Sequence, residues 1–184
     1  MKKLIISANP STLGFTHKIV DSYSELSIAN WDTIEIIDLY NTNLKQDFLR
    51  FEKVKEMWKD DITKQIQAKI TWADELIFVF PIWWWDAPAI LKNFIDSNFG
   101  AGFAFKYDEN GKSIGLLKWK SARIIATSGA PSFFYTFLLH IPILWNLNRI
   151  GFCGIKQKSF TVFGNMDSKK TNKDQYLKKL NKLI

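Results

Sequence analysis

Residues 78–96 (FVFPIWWWDAPAILKNFID) constrain the fold more than any other stretch of the chain. After Glu75, residues 76–80 are an unbroken apolar run, the pattern of a strand covered on both faces, and such strands belong to parallel sheets. Pro81 ends the run. Three consecutive tryptophans, Trp83, Trp84 and Trp85, then fall where a strand-to-helix loop is due. Pro88 opens a helix for which Asp86 or Ala87 is the expected cap. Ile90, Leu91, Phe94 and Ile95 recur at helical spacing, so that helix lays one face on the sheet. Ligands in open α/β sheets bind at this carboxyl end of the strands.

The remaining chain supplies partners for that unit. Residues 3–8 (KLIISA) read as strand one, residues 9–14 (NPSTLG) as a polar turn, and residues 15–29 as a helix with Ile19, Tyr23 and Leu26 on one face. Residues 33–39 (TIEIIDL) form strand two. Phe51, Val54, Trp58, Ile62, Ile66 and Ala73 trace a helical face that Asp60 and Asp61 can interrupt. The pattern changes over residues 103–117, where Phe103, Phe105 and Tyr107 alternate up to Asp108 and an Asn110-Gly111 turn, a hairpin excursion from the main sheet. Residues 122–127 (ARIIAT) are strand four, residues 133–148 an apolar segment helical in pieces around Pro142, and residues 158–163 strand five before a lysine-rich last helix.

Five strands separated by helices predict one α/β domain over residues 1–184, a parallel sheet with right-handed crossovers and helices on both faces. In the flavodoxin-like order 2-1-3-4-5 the switch point lies between strands one and three. Residues 9–16, 81–86 and 127–135 then converge at one edge.

Composition narrows the chemistry. With 184 residues and 47% hydrophobic content the chain can bury one substantial core. The net charge of +7 includes six lysines between Lys169 and Lys182, but Tyr176, Leu177, Leu180 and Leu183 keep an apolar stripe among them. That pattern fits the solvated face of a terminal helix better than a nucleic-acid site. Cys153 is the only cysteine and there are two histidines, so neither a disulfide framework nor a cysteine/histidine zinc cluster can be assembled. A reducing, cytoplasmic setting is expected. No run of 18 uninterrupted apolar residues predicts a membrane span, and residues 1–8 read as a strand rather than a leader.

The first loop offers Asn9, Ser11, Thr12, backbone amides and a helix start, which suit a phosphate, although an ordinary strand-to-helix turn looks the same. It lacks GxxxxGK and GxGxxG, which argues against a nucleoside triphosphatase and a Rossmann dinucleotide site. The tryptophan loop suits a planar heteroaromatic ring, with one or two indoles turned into the core and Trp84 and Trp85 nearest the ligand. No GxSxG is present, so hydrolysis is disfavoured. Tyr135 and His140 follow the third loop, where a core tyrosine and a structural histidine are the plainer readings. Cys153 reads as a small buried hydrophobe.

Residues 81–96 (PIWWWDAPAILKNFID), followed by Phe99 and by Gly102-Phe103-Ala104-Phe105, resemble the flavin-dependent NAD(P)H:quinone oxidoreductase family, with its tryptophan pair before PAILK. Gly14-Phe15-Thr16 and Thr127-Ser128-Gly129 stand where the family has its Ser-Phe-Asn-like and Thr-Thr-Gly-like turns. Residues 105–111 with Gly115-Leu116-Leu117 are also similar to flavin azoreductases of the same fold.

The resemblance implies a homodimer with flavin at the subunit interface, FAD in preference to FMN, and NAD(P)H as co-substrate. Electrons would pass two at a time to a quinone or similar acceptor by a ping-pong mechanism. An azo- or nitro-compound reductase of the same fold and a non-enzymatic flavodoxin-like electron carrier or regulatory partner are the alternatives. The implied cofactor-binding residues are Asn9, Ser11, Gly14, Phe15 and Thr16 at the phosphate, Pro81, Ile82, Trp83, Trp84 and Trp85 along the ring, and Thr127, Ser128 and Gly129 at its pyrimidine end. The implied catalytic residues are Tyr135 and His140, the latter one residue short of the family's histidine position. Asn9 replaces a common histidine, Asp86 replaces a glycine and is expected to cap the helix, and Ala130-Pro131 replaces a glycine-rich turn and removes a backbone donor.

Overall fold

A computed structural model describes residues 1–53, 56–57, 60–138, 140–141 and 149–184. Five parallel strands, β1 (Lys2–Ser7), β2 (Thr33–Asp38), β3 (Glu75–Pro81), β6 (Ser121–Thr127) and β7 (Lys156–Phe163), form one sheet in the order β2-β1-β3-β6-β7. This is the sheet order expected from the sequence. The hairpin strands β4 (Phe105–Tyr107) and β5 (Ser113–Gly115) stand apart as an antiparallel pair. Their turn is closed by Asp108, whose carboxylate accepts from Asn110 N and Lys112 N, with Gly111 at φ 75°.

The apolar runs of the strands divide residue by residue between two cores, because side chains alternate across a sheet. Leu76, Phe78 and Phe80 of β3 join Leu4, Ile6, Ile124 and Ala126 on the face covered by α2 (Asp61–Trp72) and α3 (Ala89–Asn98). Ile77 and Val79 join Ile5 and Ile125 on the other face, under α1 (Phe15–Ala29) and α4 (Lys173–Lys179) with its following 3-10 turn Leu180–Leu183. Leu180 is fully buried there and Tyr176 stacks on Phe163 at 4.8 Å, so the stripe among the terminal lysines is a packing face.

Some expectations need correction. The helix after β2 does not reach back to Phe51. Asp60 caps α2, its carboxylate accepting from Thr63 N at 2.8 Å and from the Thr63 hydroxyl at 2.6 Å, while Phe51 is 43% exposed outside any helix. Val54 and Trp58 lie outside the described residues, as do residues 139 and 142–148 and with them Pro142. Phe134–Leu138 form a π-helical turn. Among the described residues no helix is long and apolar enough to cross a membrane.

Candidate functional site

At the carboxyl edge of the sheet the three loops are tied together by hydrogen bonds. Ala8 N donates to Val79 O at 3.0 Å, and Ile82 N donates to Thr127 O at 2.8 Å. The buried hydroxyls of Thr16 and Thr127, 111 residues apart, lie 3.2 Å from each other and pin the start of α1 to the end of β6.

The first loop forms around Asn9, whose side-chain oxygen accepts from Ser11 N at 3.1 Å, and Gly14 N donates to Ser11 O at 3.0 Å. Gly14 is the N-cap of α1, contributes no side-chain cap, and no acidic residue occupies the first turn. The leading N–H groups of α1 therefore have no intrahelical acceptor and present a positive helix end to an anion. The turn is tight at Gly14, where a Cβ would sit 2.9 Å from Asn9 Nδ2 and 3.0 Å from Ser11 O. Asn9 and Thr16 are buried, Phe15 is half-buried against the α1-side core, and Ser11 is exposed. His17, which sequence reasoning did not single out, places Nε2 3.1 Å from Asn9 O and 4.0 Å from Asp38 Oδ2, bracing the loop from the β2 side.

The tryptophan loop differs from its expected form. Trp83 and Asp86 exchange both backbone hydrogen bonds, at 2.8 and 3.0 Å, and enclose a two-residue turn with Trp84 at φ 48° and Trp85 at φ 67°. Turns with two positive φ values ordinarily use Asn-Gly, because a Cβ clashes with the following carbonyl. None of the three indoles packs into the core. Trp83 is 44% exposed, Trp84 94% and Trp85 52%, and Ile82 fills the inward position instead. Pro81, the last residue of β3, is half-buried and in register with Thr127.

Asp86 does not cap α3 either. Pro88 holds the N-cap position without a side-chain bond, while Asp86 Oδ1 accepts from its neighbour Ala87 N at 2.6 Å and Oδ2 accepts from Arg149 Nη2 at 2.6 Å. The tight turn brings Asp86 back beside Trp83, too early to serve α3, and leaves its carboxylate for Arg149. That partner lies 63 residues away and gives no local sequence cue.

In the third loop Thr127 and Ser128 are buried and Gly129 is exposed. The Ser128 hydroxyl donates to Ala130 O at 2.7 Å and its N–H donates to Phe163 O, so its polar groups hold the turn. A Cβ on Gly129 would collide with the Asp167 carboxylate, which places an acidic group over this turn that the sequence pattern did not reveal.

Tyr135 is 6% exposed and its ring lies 5.9 Å from that of Trp85, which also approaches Phe134 at 5.5 Å. Trp84, Trp85 and Tyr135 line an open cleft of about 160 Å³. His140 is exposed at φ 47° and is not among the residues that line it. Burial pushes the Cys153 thiol up to about 11, which keeps it protonated and unreactive.

Over residues 1–184 the chain matches the family model described as "Flavodoxin-like fold". A Haemophilus influenzae protein named an uncharacterized NAD(P)H oxidoreductase is 33% identical, across 90% of this chain and 85% of that one. The FMN-dependent NADH:quinone oxidoreductase of Clostridium beijerinckii is 32% identical, across 96% and 92%. The crystal structure of Smu.1420 from Streptococcus mutans superposes with a TM-score of 0.86 at 30% identity, covering 100% of this chain and 98% of that one.

Proposed function

The chain belongs to the flavodoxin-like fold family, and from that membership and the site's geometry we propose that it is an FMN-dependent oxidoreductase passing two electrons from NADH to a quinone. The observation that carries this reading is the union of an uncapped α1 start with an exposed indole turn, pinned by the Thr16–Thr127 contact. A phosphate suits the first, and a planar ring suits the second.

FMN replaces the FAD that the sequence resemblance favoured. The quinone oxidoreductase relative is named for FMN, and the uncapped start of α1 suits its phosphate. FMN bound there would supply the two-electron redox chemistry between NADH and the acceptor. The chain's own residues orient and shield. The Gly14 turn and the α1 amides would hold the phosphate, Trp84 and Trp85 would lie along the ring, and Thr127 and Gly129 would serve its far end. Tyr135, its ring 5.9 Å from that of Trp85, is the residue that would donate a proton to the acceptor oxygen. His140 is not among the residues that line the cleft and takes no part in this step.

Phe133 and Phe137, close in sequence to the cleft residue Tyr135, leave their rings 55% and 72% exposed. These exposed rings are the apolar surface that a second copy of the chain would cover in a homodimer with the site at its interface.

Mass spectrometry of the cofactor released by heating the purified protein tests occupancy and identity, with FMN expected. Steady-state NADH oxidation with menadione, an azo dye and a nitroaromatic separates the quinone reading from azo or nitro reduction, and slow turnover of all three would indicate an electron carrier. Tyr135→Phe should lower turnover by about 10²-fold, the smaller end of general acid–base effects, with flavin retained. Unchanged turnover removes Tyr135 from the mechanism.

A further inference from the structure

The opposite edge of the sheet, where the strands begin, carries an array that the reaction does not use. Trp31 precedes β2 and is 93% exposed, Trp119 precedes β6 and is 69% exposed, and half-buried Trp72 closes α2 just before β3. Main-chain bonds place these loops side by side: Thr33 N donates to Met1 O, Asp74 N to Lys2 O, Ser121 N to Asp74 O, and Lys156 N to Lys120 O. Ile28 and Met1, 60% and 53% exposed, flank Trp31, whose N–H donates to Ile28 O.

The same edge is basic. Lys2, Lys118 and Lys156 are exposed, with the Lys2 ammonium 5.8 Å from the Trp72 ring centroid. The carboxylates there are largely neutralised in place. Asp32 is held by Lys3 at 2.7 Å and by the N-terminal amine at 2.8 Å, and buried Glu75 by Arg123 at 3.1 Å and Lys158 at 2.9 Å. Asp74 is the one exposed carboxylate in these loops.

Trp31 also sits against its own backbone preference. Trp31 N donates to Ile28 O and Asp32 N to Ser27 O, which completes a helix-ending motif whose left-handed position is normally glycine or asparagine. Trp31 occupies that position at φ 62°. An indole held at a strained site and left almost wholly in water is not explained by packing or by the turn.

We propose that this edge is a docking surface for an anionic lipid bilayer. Indoles settle at the level of lipid headgroups, with the apolar body inward and the N–H toward water. Aliphatic neighbours such as Ile28 and Met1 gain from the acyl boundary, whereas they offer nothing to stack on a nucleobase. Each lysine near an anionic surface strengthens attachment about fivefold, and the chain's net charge of +7 has the complementary sign. The candidate flavin cleft lies at the other end of the strands, so a docked molecule keeps it open to water and to soluble NADH.

The test is co-sedimentation of the purified protein with sucrose-loaded vesicles of equal parts phosphatidylglycerol and phosphatidylcholine. Sedimentation with these vesicles, release by high salt, and no sedimentation with phosphatidylcholine alone are expected. Trp31→Asn combined with Trp119→Ala should lower the partition coefficient by about tenfold, each indole being an apolar surface lost to the bilayer. Its melting temperature should be equal or higher, because asparagine accepts the left-handed backbone, and its NADH oxidation should be unchanged. Lys2→Glu with Lys156→Glu should abolish the preference for anionic vesicles. The proposal is overturned if the wild type does not sediment or if the tryptophan variant sediments equally well. It is also overturned if that variant changes the oligomeric state, which makes the face a contact between copies, or if single-stranded DNA is retained where vesicles are not.

Discussion

Asp86→Asn isolates what holds the tryptophan turn in place. The side-chain amide oxygen can still accept from Ala87 N, whereas the charge facing Arg149 is lost. Two non-glycine residues with positive φ, Trp84 and Trp85, cost roughly 1–2 kcal/mol each, so the turn carries about 2–4 kcal/mol of strain. Against this stand the two Trp83–Asp86 backbone bonds, about 0.5–1.5 kcal/mol each. The contacts of Trp85 with Phe134 and Tyr135 add about 0.5–1.5 kcal/mol each. These opposing sums overlap, which leaves the Asp86–Arg149 pair to tip the balance. With Asp86 half exposed and Arg149 17% exposed, solvent screening holds the pair to about 1 kcal/mol. Losing it should weaken FMN binding about fivefold, since 1.4 kcal/mol corresponds to tenfold. Flavin fluorescence quenching during titration of the apoprotein measures this directly, with Arg149→Lys as the companion variant that keeps charge and loses the planar fork. FMN affinity within a factor of about 1.5 of the wild type, well under the fivefold expected of a lost 1 kcal/mol pair, would show that the turn stands without the pair and refute the balance drawn here.

Other expectations follow from the same geometry. Trp84→Gly should raise the melting temperature of the apoprotein by about 2–4 °C, the shift expected for about 1 kcal/mol in a chain of this size, while FMN affinity falls by the loss of an indole wall. Gly164→Ala should destabilise the third loop by about 1–3 kcal/mol, because a Cβ there collides with Ser132 N and lies 2.7 Å from Ala130 O; urea melts read this. Asp32→Ala should cost about 3–5 kcal/mol, the penalty of leaving the 1% exposed Lys3 without its carboxylate, again by denaturant melts. Burial opposes ionisation of Asp32, but hydrogen bonds from Lys3 and the N-terminal amine outweigh it and hold the carboxyl below its ordinary value. A carboxyl depressed in the folded state contributes stability above its unfolded value, about 4, and loses that contribution as pH falls through the folded value. The melting temperature should therefore drop below about pH 4, less steeply in Asp32→Asn than in the wild type.

The fold was legible in the sequence because it is written in local patterns. Doubly covered strands need apolar residues at every position, and residues 4–6, 76–80 and 124–126 supply them, which leaves parallel pairing as the consistent arrangement. These three central strands, with two less apolar edge strands and the helices between them, then determine which loops meet at the switch point, and the Thr16–Thr127 contact is the physical form of that convergence. The terminal lysines were separated from a nucleic-acid site by the apolar spacing that buries Leu180.

Tertiary structure decided what the loops do in detail. The number of residues between Pro81 and Pro88 does not reveal that Trp84 and Trp85 adopt left-handed backbone, since their own preference opposes it and the Trp83–Asp86 bonds, the contacts of Trp85 with Phe134 and Tyr135, and the Asp86–Arg149 pair hold it. The interruption that Asp60 and Asp61 allow after Phe51 is realised as an Asp60 cap, and the structure adds that its partner Thr63 is buried beneath α3, with Ser97 O 3.4 Å from its hydroxyl. Periodicity records which face of an element is covered. Partners tens of residues away, and backbone strained against local preference, exist only once the sheet has brought its loops together.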